Sequence, residues 1–172
     1  MFISGQAYRC VESISFLAEN FRPRIMLTVI SDDYFMKQAL AEAKKAAEEG
    51  EIPIGAIIVC KHQIIARAHN QTETLQDVTA HAEILAITAA SSYLHNKYLK
   101  DCTIYITLEP CAMCASALRW AQISRVVFGA QDDKSGFMKT GRELLHPSTK
   151  LEFGVMHDEC SAIISDFFKS KR

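Results

Sequence analysis

The chain has 172 residues, of which 49% are hydrophobic and 23% charged, with 7 Gly and 4 Pro. That is one domain's worth of sequence with enough apolar content to bury a core, which excludes an intrinsically disordered chain and a fibrous repeat. Nineteen Lys plus Arg against 20 Asp plus Glu give a formal charge of -1, so the chain is not a globally basic nucleic-acid binder, although a local basic patch stays open.

No apolar run reaches the roughly 20 residues that span a bilayer, so no membrane is expected as a partner. Six cysteines are spread over long core-like segments rather than gathered in a small loop-rich scaffold, which points to a reducing, cytoplasmic compartment. Residues 1–31 stand apart. Their apolar pieces are interrupted by Arg22, Pro23 and Arg24, and Glu12 and Glu19 fall where the apolar stretch of a secretory signal should run. They read as a poorly ordered extension or a misplaced start, with Met26 just ahead of the first clear helix; residues 32–172 read as the domain.

From Asp32 to Glu49, apolar residues recur at helical spacing (Phe35, Ala39, Leu40, Ala43, Ala46), with Ser31 or Asp32 as N-cap and Gly50 as the stop. Ile54 to Val59 and Ile64 to Ala68 are β-branched runs that flank Lys61, His62 and Gln63 as a hairpin. Ala80 to Ala90 reads as a helix, Thr103 to Leu108 as a strand, and Pro110 as the opening of a helix that runs to Ala121. Arg125 to Gly129 is a short strand. A polar stretch to Ser148 carries one helical turn at Arg142 to Leu145, and a strand at Leu151 to Val155 and a last helix capped by Asp158 follow. This alternation predicts a single mixed sheet covered by helices, an α/β layered domain. Met113 and Trp120 fit the buried face of the third helix, and His62, His69, His95 and His146 fall at turns or element ends where they are expected to be solvated.

Two clusters carry chemistry, and both open predicted helices. Cys111 and Cys114 are three residues apart and share one helical face, where two thiolates can converge on one metal. His81 and Glu83 are two apart and diverge by about 200° in mid-helix, so they serve one site only if it lies over the helix end. A helix N-terminus lowers thiol pKa, which favours the ligand form of both cysteines. One His and two Cys make three ligands, and a catalytic zinc site keeps its fourth position for water. Zinc brings the pKa of that water to about 7, and Glu83 can then move the proton as a general acid and base. Two other readings remain at this point: a Cys-x-x-Cys redox motif, and a structural zinc site closed by Cys160 or His157.

Thr79-Ala-His81-Ala-Glu83 followed by Thr107-Leu-Glu-Pro110-Cys111-Ala-Met-Cys114 resembles the zinc-dependent cytidine and deoxycytidylate deaminase superfamily. Val126 to Ala130, Asp132 with Lys134-Ser-Gly136, and the ending Asp158-Glu-Cys with Ser165-Asp-Phe-Phe168 are similar to one branch, the bacterial tRNA adenosine deaminases, over about Tyr34 to Arg172. The resemblance implies a three-layer α/β/α cytidine-deaminase-like fold with a five-stranded mixed sheet. It implies hydrolytic conversion of adenosine to inosine at the wobble position of an anticodon, in an arginine tRNA, with one zinc per subunit on His81, Cys111 and Cys114 and Glu83 as proton shuttle. It also implies that Asn70 contacts the adenine edge, that Pro53 and Ile54 line the base pocket, and that Asp132 lies near the ribose. Phe168, Lys171 and Arg172 are implied to meet the anticodon stem-loop, and a homodimer to complete the site. Two positions depart from that pattern: Gln131 stands where a basic residue is common, and Thr72 where a proline is. The alternative is a small-molecule deaminase acting on guanine, cytosine or a nucleoside through the same zinc site; a noncatalytic zinc or redox module would release no ammonia at all.

Overall fold

The computed structural model describes residues 31–171. Helix α1 spans Asp32–Glu48, with the Ser31 hydroxyl accepting from the Tyr34 amide at its start and Gly50, at φ +81°, beyond its end. Strand β1 is Gly55–Cys60 and β2 is Gln63–His69. They are joined by Lys61 and His62, both at positive φ, so the loop has two residues and Gln63 pairs with Cys60 instead of turning. Helix α2 (Ala82–Leu94), β3 (Cys102–Leu108), α3 (Ala112–Trp120), β4 (Arg125–Ala130), β5 (Lys150–Phe153) and α4 (His157–Ser170) complete the order. Single 3₁₀ turns at Phe137–Lys139 and Arg142–Leu144 interrupt the polar stretch, the first of them unforeseen.

The sheet order is β2-β1-β3-β4-β5, antiparallel on either side of β1 and parallel from β3 to β5. Strands β1, β3 and β4 read as near-continuous apolar runs because both of their faces are covered. Ala56, Ile58, Ile104, Ile106, Val126 and Phe128 point to the layer of α2 and α3, whereas Ile57, Val59, Tyr105 and Val127 point to the layer of α1 and α4. The three-layer α/β/α fold and five-stranded mixed sheet are therefore as expected. Gly55 lets α1 close onto β1: a Cβ there would stand 2.1 Å from the Ala39 carbonyl oxygen.

Several boundaries move. Helix α2 begins two residues later than expected and runs to Leu94, ending at His95 in the left-handed region, φ 49°. Helix α3 begins at Ala112, so Pro110 precedes the N-cap rather than opening the helix. Met156, at φ 54°, turns the chain from β5 into α4, and Asp158 lies inside the helix rather than capping it. Trp120 is 78% exposed and Met113 37% exposed, contrary to their expected burial, because α3 buries Cys114, Ala115 and Leu118 and these two, seven residues apart, share the opposite face. His69 is not solvated either: Glu49 lies 3.0 Å from its Nε2 and the buried Glu42 3.7 Å from its Nδ1. The extension expected at residues 1–31 lies outside the described residues apart from Ser31.

One ion network ties the start of α1 to the sheet. Arg125 donates to both Asp32 oxygens, at 2.9 and 2.7 Å, and also pairs with Glu152, while the Tyr105 hydroxyl donates to Asp32 at 2.7 Å. The Arg125 guanidinium holds the Asp32 carboxyl below its ordinary 3.8, against the opposing effect of burial. A depressed carboxylate pKa adds stability that is present above the ordinary value and lost as pH falls through the lowered one. Asp32→Asn therefore melts below the wild type at pH 7, and the gap narrows as pH drops beneath 3.8. Paired thermal melts across that range check this; a gap that stays constant into acid contradicts it.

Candidate metal and active site

The two chemical clusters come together over the ends of two helices. Thr79 reaches back to Asp77, whose Oδ1 accepts from the Thr79 amide at 2.8 Å and hydroxyl at 2.7 Å, and this turn delivers His81 to the N-cap of α2. The chain leaving β3 places Cys111 at the N-cap of α3. Neither His81 nor Cys111 caps its helix with its side chain. Both turn instead into one cluster, in which His81 Nδ1 lies 3.7 Å from Cys111 Sγ and 3.5 Å from Cys114 Sγ. All three donor atoms fall within 4.8 Å of one another. Two ligands at zinc–nitrogen and zinc–sulfur bond lengths, separated by a tetrahedral angle, stand roughly 3.5–3.8 Å apart, so the donors are spaced as if around one tetrahedral ion.

The electrostatics favour the ligand form at Cys111 alone; the lowered pKa expected of both cysteines is not found at Cys114, where the shared hydrogen bond and burial hold the proton. The Cys111 thiol is drawn down to about 4, chiefly by the hydrogen bond from Cys114 and then by His81, and two helix N-termini add positive potential. Cys114 is pushed up, by that same hydrogen bond with Cys111 and by burial, and His81 is raised by Cys111. Cys160, offered by one reading as a fourth ligand, packs in the α1/α4 layer on the other side of the sheet, and His157 lies on that same α4. His81, Cys111 and Cys114 are thus the three residues that could hold one metal ion here.

Glu83 sits in the first turn of α2 and is 3% exposed, and burial pushes its pKa up to about 7. Its Oε2 is, among the described residues, the one sealed side-chain oxygen or nitrogen without a hydrogen-bond partner. A buried carboxylate oxygen held without a partner is costly to folding and marks a group kept for a proton or a guest.

Two loops are tied by backbone bonds to the residues beside this cluster. Asn70 follows β2, its amide donating to the Ile54 carbonyl at 3.0 Å, and Gln71 N bonds Ala80 O at 3.0 Å, one residue before His81. Asn70 and Ile54, with Pro53 next in the chain, are therefore held together, with Pro53 buried and Ile54 half-buried. On the other side Asp132 starts a turn, its Oδ1 accepting from the amides of Lys134 and Ser135, and Cys111 forms a lone β-bridge with Gly136. Phe168 and Lys171 are not brought to the cluster by the contacts they make: Phe168 packs edge-on to Phe167 at 5.6 Å and Lys171 lies over the Phe167 ring at 5.3 Å. Arg172 lies outside the described residues.

Two residues were missed by reading the sequence for function, and both are buried carboxylates. Glu51 is 1% exposed and Glu109 6% exposed. Glu109 accepts from the amides of Asp132 at 3.1 Å and Met138 at 2.9 Å, and a Cβ on Gly136 would fall 2.3 Å from its Cδ, so the loop over Cys111 is clasped to it. The available signal was a charged residue at the junction of two buried segments: Glu51 between a helix stop and a Pro-led strand, and Glu109 between β3 and Pro110. Glu109→Ala leaves both loop amides unpaired and costs about 1–3 kcal/mol of stability. Urea unfolding measures it, and an unchanged midpoint contradicts the clasp.

Comparison with known proteins agrees with this geometry. A family model described as MafB19-like deaminase matches residues 30–172. The tRNA-specific adenosine deaminase of Aquifex aeolicus is 47% identical over 145 residues, covering 81% of this chain and 95% of that protein. The enzyme of the same name from Bacillus subtilis is 45% identical over 146 residues, covering 82% and 91%. A solved structure from work on A-to-I editing by tRNA:A34 deaminases at the wobble position of transfer RNA superposes with a TM-score of 0.71 at 40% identity, over 76% of this chain and 98% of the other. With similarity of this strength over nearly the full length of each relative, the chain belongs to the tRNA-specific adenosine deaminase family.

Proposed function

We propose that this protein hydrolytically deaminates the adenosine at the wobble position of a tRNA anticodon to inosine, an arginine tRNA being the expected substrate. The observation that carries the reading is the meeting of an open three-donor metal set with the sealed, unpartnered Glu83 oxygen. The relatives named above act on tRNA adenosine, which supplies the substrate class.

His81, Cys111 and Cys114 would hold one zinc ion. When bound, zinc supplies the acidification that makes water a nucleophile near neutral pH. Glu83 takes the proton of the attacking water on a carboxylate oxygen and delivers it to N1 of the ring as the water oxygen bonds to C6. It then takes the proton of the new C6 hydroxyl and passes it to the N6 amine, so the C6–N6 bond breaks, ammonia leaves and the C6 carbonyl forms. The target base must leave its stack to reach this site. Asn70 reads the base edge, Pro53 and Ile54 line its pocket, and Asp132 lies toward the ribose. Phe168, Lys171 and Arg172 meet the anticodon stem-loop, where an aromatic ring stacks a splayed base and cations hold phosphates.

Residues 32–172 act as one deaminase domain, in keeping with the span of the family match. The protein is a cytoplasmic homodimer: the exposed face of α3 with Met113 and Trp120, together with the 62% exposed Tyr93 on α2, supports the pairing of two copies. Among the described residues no helix is long and apolar enough to cross a membrane.

Glu83→Ala is the direct test. The variant keeps its zinc, measured by metal analysis, and loses deamination of an anticodon stem-loop by about 10²–10⁴. Near-normal turnover refutes the role of Glu83, and loss of zinc instead refutes the three-donor set.

A further inference from the structure

Glu51 is a charged residue sealed in the interior on the substrate side of the fold, and nothing in the proposed chemistry uses it. Its two oxygens divide their work. Oε1 accepts from the amides of Glu73 at 2.9 Å and Thr74 at 2.7 Å, which fixes the turn after β2. Oε2 accepts from Asn70 Nδ2 at 3.1 Å and from the Thr72 hydroxyl at 3.2 Å, and Thr72 Oγ1 in turn lies 3.1 Å from Asn70 Nδ2. Burial works to raise the Glu51 pKa, but the backbone and side-chain bonds from Thr74, Thr72 and Glu73 outweigh it and hold the group below its ordinary value, as an anion.

An anionic carboxylate only accepts hydrogen bonds. The end of Asn70 that faces it must therefore be the amide nitrogen, and the carbonyl oxygen is turned the other way. Asn70 is itself 3% exposed, so a reversed amide would set its oxygen against the ionised Glu51 with little water to come between them. Thr72 adds a second hold on the same nitrogen.

We propose that Glu51 is a positioning residue for base recognition: through Oε2, and with Thr72, it fixes the amide orientation with which Asn70 meets the target base. This rests on the reading of Asn70 as the base contact and deepens it. A glutamine in place of Glu51 keeps the clamp on the turn, because its oxygen still accepts from the amides of Glu73 and Thr74. Its nitrogen then opposes Asn70 Nδ2, donor against donor, and the Asn70 amide is driven to reverse. The substitution thus misdirects Asn70 without dismantling the loop.

A double-mutant cycle on stem-loop deamination tests this. Glu51→Gln should lower kcat/KM roughly 10- to 100-fold, the scale of a misplaced contact in an active site, with zinc content and exchange protection of the Glu73 and Thr74 amides unchanged. In an Asn70→Ala background the same substitution should change kcat/KM less than about twofold, since its route of action is gone. Thr72→Val, which keeps the shape and loses the hydroxyl, should show a smaller loss that also vanishes in that background. Wild-type kcat/KM for Glu51→Gln, or an equal loss with and without Asn70, overturns the proposal. Full activity of Asn70→Ala alone instead overturns the base-contact reading beneath it.

Discussion

Two helices that start at one point are the constraint from which the site follows. His81 and Cys111 are both N-cap residues, and each gives up the capping bond its own side chain could have made. That loss leaves free amides and partial positive charge at both helix ends, which suits thiolates and an incoming anion. It also solves the angular problem of His81 and Glu83, which diverge along a helix but face one volume beyond its end. The sheet fixes the meeting place, since α3 follows the carboxyl end of parallel strand β3, where open α/β sheets gather their ligands.

Around that fixed centre the walls are held by carboxylates rather than by apolar packing. Glu109 clasps the loop that carries Asp132 to the neighbourhood of Cys111. Glu51 holds the loop that carries Asn70 to the other side. Irregular backbone near a site has amides that no ladder satisfies, and a buried carboxylate can accept from several of them at once. The cost of burying each charge is offset by those bonds, and the return is two loops held in place beside a buried acid, Glu83.

The fold and the meeting of His81, Cys111 and Cys114 were legible in the sequence because each leaves a local mark. Apolar periodicity separated α1 from the strands, and the spacing of Cys111 and Cys114 gave a shared face. The misplacements have physical causes. Pro110 was read as the first residue of α3, yet the chain uses Cys111 as N-cap so that its thiol can join the cluster. Trp120 looked like core by residue type, but α3 is short and spends its buried face on Cys114, Ala115 and Leu118. Glu51 and Glu109 left only a faint mark, because most of their partners are backbone amides, which carry no signature in residue type. Phe168 and Lys171 were tied to RNA by resemblance, and their own contacts stay within the end of α4.

The chemistry of the site would serve a free base as well as a nucleotide held in RNA, so substrate size is the claim to press hardest. Ammonia release and inosine formation should be followed with an anticodon stem-loop carrying a wobble adenosine, beside free adenosine, guanine and cytidine at the same concentration. The account predicts conversion of the stem-loop and none of the small molecules. Turnover of guanine, cytidine or free adenosine with an inert stem-loop would leave the metal site standing and contradict the assignment to tRNA.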